Sequence, residues 1–144
     1  FVLNVGPDAD GDFPPEHVAL LAEVGRWTKA NGEAIYGTVP APEVEFSPQK
    51  GAVAYATKAK DGSAVYFHVL SWPSDEFGVR VRVSHAPLSA SGPALRFTRL
   101  DATKRANFEL NKGESGQGWF RITPSESHNR YATVYKLELP LPNP

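Results

Sequence analysis

Residues 53–71 read VAYATKAKDGSAVYFHVLS, and they contain two runs of alternating side chains separated by a turn. In the first run, residues 53–57, large side chains alternate with alanine. In the second run, residues 65–70, the residues sharing one face are Val65, Phe67 and Val69, and those on the other are Tyr66, His68 and Leu70. A period of two is typical of a half-buried β-strand, and Lys60-Asp61-Gly62-Ser63 is typical of a turn. The stretch therefore predicts two antiparallel strands.

The same period continues towards the carboxy end of the chain. The residues that carry it are Phe77, Val79, Val81 and Val83; Leu95 and Phe97; Phe108 and Leu110; Phe120 and Ile122; and Tyr135, Leu137 and Leu139. About seven to eight short strands with turns between them predict a mainly β protein, an antiparallel β-sandwich. Tyr135 falls on the same face as Leu137, so we expect it in the core.

The amino-terminal part of the chain has a different pattern of apolar residues. Phe1 to Val5 reads as one short apolar strand, and Pro14-Pro15-Glu16 is typical of a helix start. Apolar residues then recur at helical spacing, namely Val18, Leu20, Leu21, Val24 and Trp27. Lys29-Ala30-Asn31-Gly32 predicts a basic last turn and a glycine cap. One amphipathic α-helix is therefore expected before the sandwich, followed by a stiff linker at Val39-Pro40-Ala41-Pro42.

Composition excludes several classes of protein. The net charge is −1 and the basic residues are scattered, which argues against nucleic acid as a partner. No apolar run approaches the roughly 18 residues that span a bilayer, so we expect a soluble protein with no membrane partner. The chain has no cysteine, which excludes disulfides and thiolate chemistry and leaves the compartment unknown. It also lacks methionine, even at position 1, so we expect a processed chain or a piece of a longer one.

Four carboxylates are candidates for catalysis. Asp8, Asp10 and Asp12 form a D-x-D-x-D cluster, whose functional interpretation is a calcium loop or a catalytic carboxylate pair. The glycine and glutamate spacing of a calcium loop is missing, which favours a solvated turn before the helix. Glu33 lies among apolar neighbours that would raise its pKa and make it a general acid. The preferred interpretation of Glu33 is a structural, hydrogen-bonding acid at the helix end.

Histidines and aromatic residues are the candidates for metal and sugar sites. The histidines are His17, His68, His85 and His128, and none of them falls at a metal-like spacing. We therefore expect no metal site and no cofactor, and His68 is interpreted as a sheet residue. Trp119 and Tyr131 are candidates for a sugar-stacking platform, since aromatic faces suit the apolar side of a ring. The alternative is a core or loop role for both.

Several ordered motifs resemble glycoside hydrolase family 29, the α-L-fucosidases. They are Asn4-Val5-Gly6-Pro7-Asp8-Ala9-Asp10-Gly11, Pro14-Pro15-Glu16, Val24-Gly25-Arg26-Trp27 and Asn31-Gly32-Glu33-Ala34-Ile35-Tyr36-Gly37-Thr38. Residues 64–73 are similar to a recognisable strand of the family's sandwich. The resemblance implies that residues 1–40 are the remnant of the last β/α unit of a catalytic barrel. Residues 41–144 are then the carboxy-terminal sandwich.

The resemblance also implies a retaining hydrolysis or transfer of α-L-fucosyl groups, with fucosylated glycans or small fucosides as partners. The family's nucleophile lies on a barrel strand that has no counterpart here, so no catalytic residue transfers. If the chain acts alone, its carboxylates come from Asp8, Asp10, Asp12 or Glu33. The alternative is a non-catalytic accessory module that stabilises the barrel or binds glycans. An unpaired strand at Phe1 to Val5 also predicts self-association.

Overall fold

The computed structural model describes seven parts of the chain, which are residues 4–46, 51–72, 79–83, 96–102, 108–112, 118–122 and 129–139. These parts contain one α-helix, one short 3-10 helix and nine strands. The helices are α1, Pro15–Asn31, and the 3-10 helix Gly32–Ala34. The strands are β1 Thr38–Pro40, β2 Val44–Phe46, β3 Val53–Ala59, β4 Ala64–Ser71, β5 Val79–Val83, β6 Arg96–Arg99, β7 Phe108–Lys112, β8 Gly118–Ile122 and β9 Thr133–Glu138.

The strands form two antiparallel sheets. The larger sheet has five strands in the order β1-β3-β4-β9-β6, and the smaller has four in the order β2-β5-β8-β7. The predicted β-sandwich preceded by one helix is confirmed. Within the described residues there are nine strands rather than seven to eight, because β1 and β2 are three-residue strands that the alternation did not reveal. Strand β1 occupies the start of the predicted linker, while the domain division at residue 40 stays a prediction.

The hairpin predicted from residues 53–71 is present as β3 and β4. Their register pairs Tyr55 with His68 and Thr57 with Tyr66. At the turn, Gly62 has a φ of +75°, a conformation that disfavours a side chain. The carboxylate of Asp61 accepts hydrogen bonds from the backbone amide and the hydroxyl of Ser63, at 3.0 and 2.7 Å. These contacts close the turn and fix the pairing.

The main core lies between the two sheets. Its buried residues are Val65, Phe67, Val69, Phe97, Ile122, Tyr135 and Leu137. Phe67 packs edge-on against Phe46 from the smaller sheet, with ring centroids 6.4 Å apart. Phe97 stacks on Tyr135 at 5.3 Å. The expected core position of Tyr135 is therefore confirmed.

Helix α1 begins at Pro15, as predicted, because proline is tolerated where the first backbone amides have no partner. Helix α1 ends with Gly32 at its C-cap and Lys29 in its last turn, as predicted, but Gly32 does not have the left-handed backbone typical of a glycine cap. Gly32 has a right-handed φ of −60°, and the chain continues into the 3-10 helix. A Cβ atom at Gly32 would lie 3.3 Å from the ring of Tyr36, so a close approach explains the glycine better than a cap does.

Some predictions fall on residues outside those that the structure describes. They include most of the predicted first strand, Phe1 to Leu3, together with Phe77, Leu95, His85 and His128. Asn4 and Val5, at the described end of that predicted strand, are not in a strand.

Candidate functional site

The outer face of the five-stranded sheet carries the end of helix α1. The indole Nε1 of Trp27 donates a hydrogen bond to the carbonyl oxygen of Ala132, at 2.9 Å. Asn31 is fully buried, and its amide Nδ2 donates to the carbonyl oxygen of Trp27 at 3.0 Å. A small second core lies beneath these residues and contains Ala34, Ala64, Tyr66 and Val134. These contacts position Glu33 over the sheet.

Glu33 contacts two strands of the sheet. Its carboxylate Oε1 accepts a hydrogen bond from the hydroxyl of Tyr66 at 3.0 Å, and lies 2.5 Å from the ammonium of Lys136. Partial burial of Glu33 raises its pKa, but the hydrogen bond from Lys136, the one from Tyr66 and the Lys136 charge outweigh that effect. The pKa of Glu33 is therefore lowered from 4.5.

A lowered pKa is the opposite of the direction expected for a general acid. A carboxyl group that donates a proton near neutral pH needs a raised pKa. Glu33 is ionised at neutral pH and half exposed, and it joins the helix end to the sheet. This geometry is that of a structural acid.

The other three candidate carboxylates share one exposed turn. The carboxylate oxygen Oδ1 of Asp8 accepts hydrogen bonds from the backbone amides of Asp10 and Asp12, at 3.0 and 2.9 Å. The turn also contains Gly11 with a φ of +87°. The carboxylate of Asp8 therefore folds its own loop ahead of α1.

The two aromatic candidates lie in different parts of the fold. Trp119 lies in β8 of the smaller sheet, and Tyr131 precedes β9 of the larger one. The hydroxyl of Tyr131 donates to Oε2 of Glu23, and the guanidinium of Arg130 lies 4.8 Å from its ring centroid. Tyr131 is nevertheless 42% exposed, and it borders a groove.

This groove lies between α1 and the outer face of the five-stranded sheet, and its volume is about 490 Å³. Its lining is almost entirely apolar and consists of Val24, Trp27, Ile35, Tyr55, Thr57, His68, Leu70, Tyr131 and Ala132. An apolar lining with few polar groups fits hydrophobic side chains better than it fits a polyhydroxylated sugar.

His68 lines the groove on its sheet side. The hydroxyl of Thr57 donates to the carbonyl oxygen of Ala34 at 2.9 Å, so its oxygen accepts from Nε2 of His68 at 3.0 Å. This chain places the imidazole proton on Nε2. Burial lowers the pKa of His68 from 6.5, so the ring is neutral at neutral pH. His68 is therefore a buried sheet residue that helps to anchor the segment after α1.

The described part of the chain contains no group of three histidine or carboxylate side chains arranged to hold a metal ion. A separate search of those residues for a helix long and apolar enough to cross a bilayer finds none.

Sequence reasoning missed the groove. Its strand residues were visible as the second face of the hairpin, Tyr55 with His68 and Leu70, but nothing local indicated which element covers that face. The apolar stripe of the helix was also visible in the sequence, and two of its residues, Val24 and Trp27, line the groove. Where the helix ends on the sheet depends on contacts between distant residues, such as that of Trp27 with Ala132.

Comparison with known proteins gives a consistent result. Residues 1–33 match the family model described as alpha-L-fucosidase. The tissue alpha-L-fucosidase of Bos taurus is 33% identical over 139 residues, which are 95% of this chain and 27% of that protein. The tissue alpha-L-fucosidase of Rattus norvegicus is 43% identical over 75 residues, covering 52% of this chain and 15% of that protein.

A solved structure shows the same architecture. The alpha-L-fucosidase GH29 from Bacteroides thetaiotaomicron superimposes with a TM-score of 0.62 and 25% identity, over 96% of this chain and 28% of that one. The chain thus spans less than a third of the length of these relatives. It belongs to the alpha-L-fucosidase family and matches the carboxy-terminal portion of its longer members.

Proposed function

We propose that the chain works as the carboxy-terminal portion of an alpha-L-fucosidase-type glycoside hydrolase that hydrolyses or transfers α-L-fucosyl groups. The observation that carries this proposal is the alignment of 95% of the chain with a tissue alpha-L-fucosidase at 33% identity. The substrates would be fucosylated glycans or small fucosides. A retaining mechanism with two carboxyl groups roughly 5–5.5 Å apart is part of the same proposal.

In this proposal the catalytic carboxylates come from the portion that precedes the matched segment in the longer relatives. The geometry of the candidates supports that assignment. Asp8 is bonded to its own loop, and Glu33 is paired with Lys136 and Tyr66. Residues 1–40 would be the end of the catalytic unit, and residues 41–144 the domain that supports it.

The test is release of nitrophenol from p-nitrophenyl α-L-fucoside. One sample is the chain alone, and the other is a chimaera in which the chain replaces the matching 27% of the Bos taurus relative. We expect turnover by the chimaera and none by the chain alone, because a substrate pocket supplies the positioning that catalysis requires. Asp10→Asn and Glu33→Gln should change the turnover of the chimaera by no more than roughly a few-fold relative to the unsubstituted chimaera.

Turnover by the isolated chain that Asp8→Asn, Asp10→Asn, Asp12→Asn or Glu33→Gln abolishes would overturn the assignment. It would identify a minimal fucosidase that uses its own carboxylates. Variants prepared in the same way expose any contaminating host enzyme, because contamination gives equal turnover in all of them.

The accessory function is a second candidate, favoured by the exposed ring of Tyr131 beside the groove. If the module binds glycans, fucose should quench tryptophan fluorescence in the wild-type chain, and Tyr131→Ala should weaken this response more than Tyr36→Ala does. Tyr36 is the matched control because it is 70% exposed and does not line the groove. Equal responses in both variants would remove Tyr131 from the sugar site, and Trp119→Phe tests the other predicted aromatic residue.

A further inference from the structure

Two arginines from distant parts of the chain meet at one cleft. Arg26 belongs to α1 and Arg130 to the segment before β9, and both line a space of about 320 Å³ between these two elements. Among the residues that the structure describes, neither guanidinium lies within ion-pair distance of a carboxylate. A guanidinium presents its N–H donors in a plane that matches a carboxylate, so this cleft offers an anionic ligand two sets of donors.

The same cleft is lined by a buried amide. Asn31 is fully buried, and its Nδ2 donates to the carbonyl oxygen of Trp27. Its Oδ1 has no hydrogen-bond partner in the described part of the chain. Leaving a buried acceptor unpaired is costly, so a ligand hydroxyl that reaches this oxygen gains a hydrogen bond that the protein itself does not make. We call the space the polar cleft, defined by Glu23, Arg26, Asn31, Asn129, Arg130 and Tyr131.

Side-chain contacts hold the polar cleft in shape. The hydroxyl of Tyr131 donates to Oε2 of Glu23 and so joins the segment before β9 to α1. Oδ1 of Asn129 accepts from the backbone amide of Tyr131 at 3.0 Å, and the guanidinium of Arg130 lies 4.8 Å from the centroid of the Tyr131 ring. A site whose side chains are already placed loses less conformational entropy when a ligand binds. Its volume also falls within the range of small-molecule sites, about 300–1,000 Å³.

The charges and amides of the polar cleft indicate the class of ligand. Two arginines and one glutamate line it, so its net charge is +1. That charge matches one carboxylate better than a phosphate group, which carries about −1.5 to −2. An anion without hydroxyl groups would use the arginines and leave Oδ1 of Asn31 unpaired. A sugar ring that carries a carboxylate uses both, since its hydroxyls also suit the amide of Asn129 and the carboxylate of Glu23.

We propose that the polar cleft is a non-catalytic binding site for an acidic sugar residue of a glycan. The carboxylate of the sugar pairs with Arg26 and Arg130, and a ring hydroxyl donates to Oδ1 of Asn31. This inference rests on the accessory, glycan-binding function and adds to it a site and a class of sugar. It does not depend on the catalytic proposal, because the polar cleft contains none of the four candidate catalytic carboxylates.

The first test compares three ligands on the isotope-labelled chain at equal ionic strength. D-glucuronate carries a ring and a carboxylate, D-glucose has a similar ring without the carboxylate, and acetate has the carboxylate without the ring. Glucuronate should shift the backbone amide NMR signals of residues 129–131 and the indole signal of Trp27, which also lines the polar cleft. The shifts should saturate with a dissociation constant on the order of 1 mM, as expected for so small a ligand. Glucose and acetate should bind about tenfold more weakly or worse, since each lacks one set of contacts.

The second test changes the charge of the polar cleft in both directions. Arg130→Gln removes one guanidinium and should weaken glucuronate binding about tenfold. Arg96→Gln is the matched control, because Arg96 is also exposed but lies on β6 outside the polar cleft, and it should leave binding unchanged. Glu23→Gln keeps an acceptor for the hydroxyl of Tyr131 and removes the negative charge, so it should tighten glucuronate binding by about two- to fivefold. Loss of folding cannot imitate this gain.

The outcomes separate the site from the function on which it rests. Equal binding of glucuronate and acetate identifies a simple anion site and overturns the proposal. Equal binding of glucuronate and glucose overturns the acidic class but keeps a glycan-binding module, and so do saturable shifts at Tyr55 and Leu70 in place of residues 129–131. Absence of saturable shifts with all three ligands overturns the site. Turnover of the nitrophenyl fucoside by the chimaera is measured separately, so failure of either proposal is recognised independently of the other.

Discussion

Glu33 is a single residue that connects three elements of the chain. It follows α1, accepts a hydrogen bond from Tyr66 in β4 and pairs with Lys136 in β9. None of these contacts was predictable from the sequence around residue 33, since both partners come from strands far along the chain. The local apolar neighbours indicated a raised pKa, but the distant cation and hydroxyl lower it.

Glu33→Gln tests the ion pair. Glutamine keeps an acceptor for Tyr66 but loses the charge, so at pH 7 the free energy of unfolding should fall by roughly 0.2–1 kcal/mol, as for a half-exposed pair. Because the pKa of Glu33 is lowered on folding, the stabilisation that its carboxylate contributes is complete above pH 4.5. It is lost as the pH falls through the pKa of Glu33 in the folded protein. Urea unfolding at pH 7 and pH 3 measures the difference between wild type and variant.

At pH 3 the two proteins should be closer in stability than at pH 7. Asp12→Asn is the control for removing one acidic charge, since Asp12 lies in the exposed turn ahead of α1. A gap between wild type and Glu33→Gln that grows as the pH falls would contradict the ion pair.

Tyr66 gives the second prediction at this scale. Burial, the hydrogen bond to Glu33 and nearby carboxylates raise the pKa of Tyr66 to about 12. In an absorbance titration of the five tyrosines, Tyr66→Phe should remove a component that ionises near 12. Since the pKa of Tyr66 is raised on folding, the stabilisation that its neutral hydroxyl contributes is complete below pH 10. It is lost as the pH rises towards 12. Tyr36→Phe is the exposed control, and loss of the late component in that variant instead would contradict the assignment.

At the scale of elements, the contact between α1 and the sheet depends on Trp27. Its indole donates to the carbonyl oxygen of Ala132, which is partly buried and loses its donor in Trp27→Phe. We expect that variant to lose about 1–2 kcal/mol of unfolding free energy, the cost of leaving a buried acceptor unpaired. The free energy of opening that amide exchange reports for residues 27–31 should fall by a similar amount.

Trp27→Ala is the comparison variant, and it should cost more because it also removes the ring that packs on Ala34 and its neighbours. If Trp27→Phe matched the wild type in both urea unfolding and exchange, the hydrogen bond would not hold the helix.

The same scale shows what the sequence predicted and what it did not. Strands β3, β4 and β9 are long enough for alternation to identify them, and helix α1 carries its own start signal at Pro15. Strands β1 and β2 have three residues each, and β1 ends in Pro40, so no period is visible. Both lie at sheet edges, where Pro40 is tolerated because an edge strand has backbone groups that need no partner. Their existence follows from tertiary pairing and not from local pattern.

For the whole molecule, the two sheets share one core, and this predicts a single unfolding transition. Phe46 and Ile122 of the smaller sheet pack with Phe67, Phe97 and Tyr135 of the larger one. Among the residues that the structure describes, core side chains of the two sheets contact each other directly, so loss of one sheet exposes the core face of the other. Near-ultraviolet and far-ultraviolet circular dichroism should therefore report the same urea midpoint.

Phe67→Ala is the sharpest test of that shared core. The ring is buried and lies between those of Phe46 and Phe97, at centroid distances of 6.4 and 6.2 Å. Its removal leaves a cavity that borders both sheets and should cost about 3–5 kcal/mol, a large share of the stability of a small domain. Tyr55→Ala on the same hairpin should cost less than about 1 kcal/mol, because Tyr55 is 62% exposed. A Phe67→Ala protein whose spectroscopic transitions separate would show that the sheets unfold independently, and the single-core description would then be wrong.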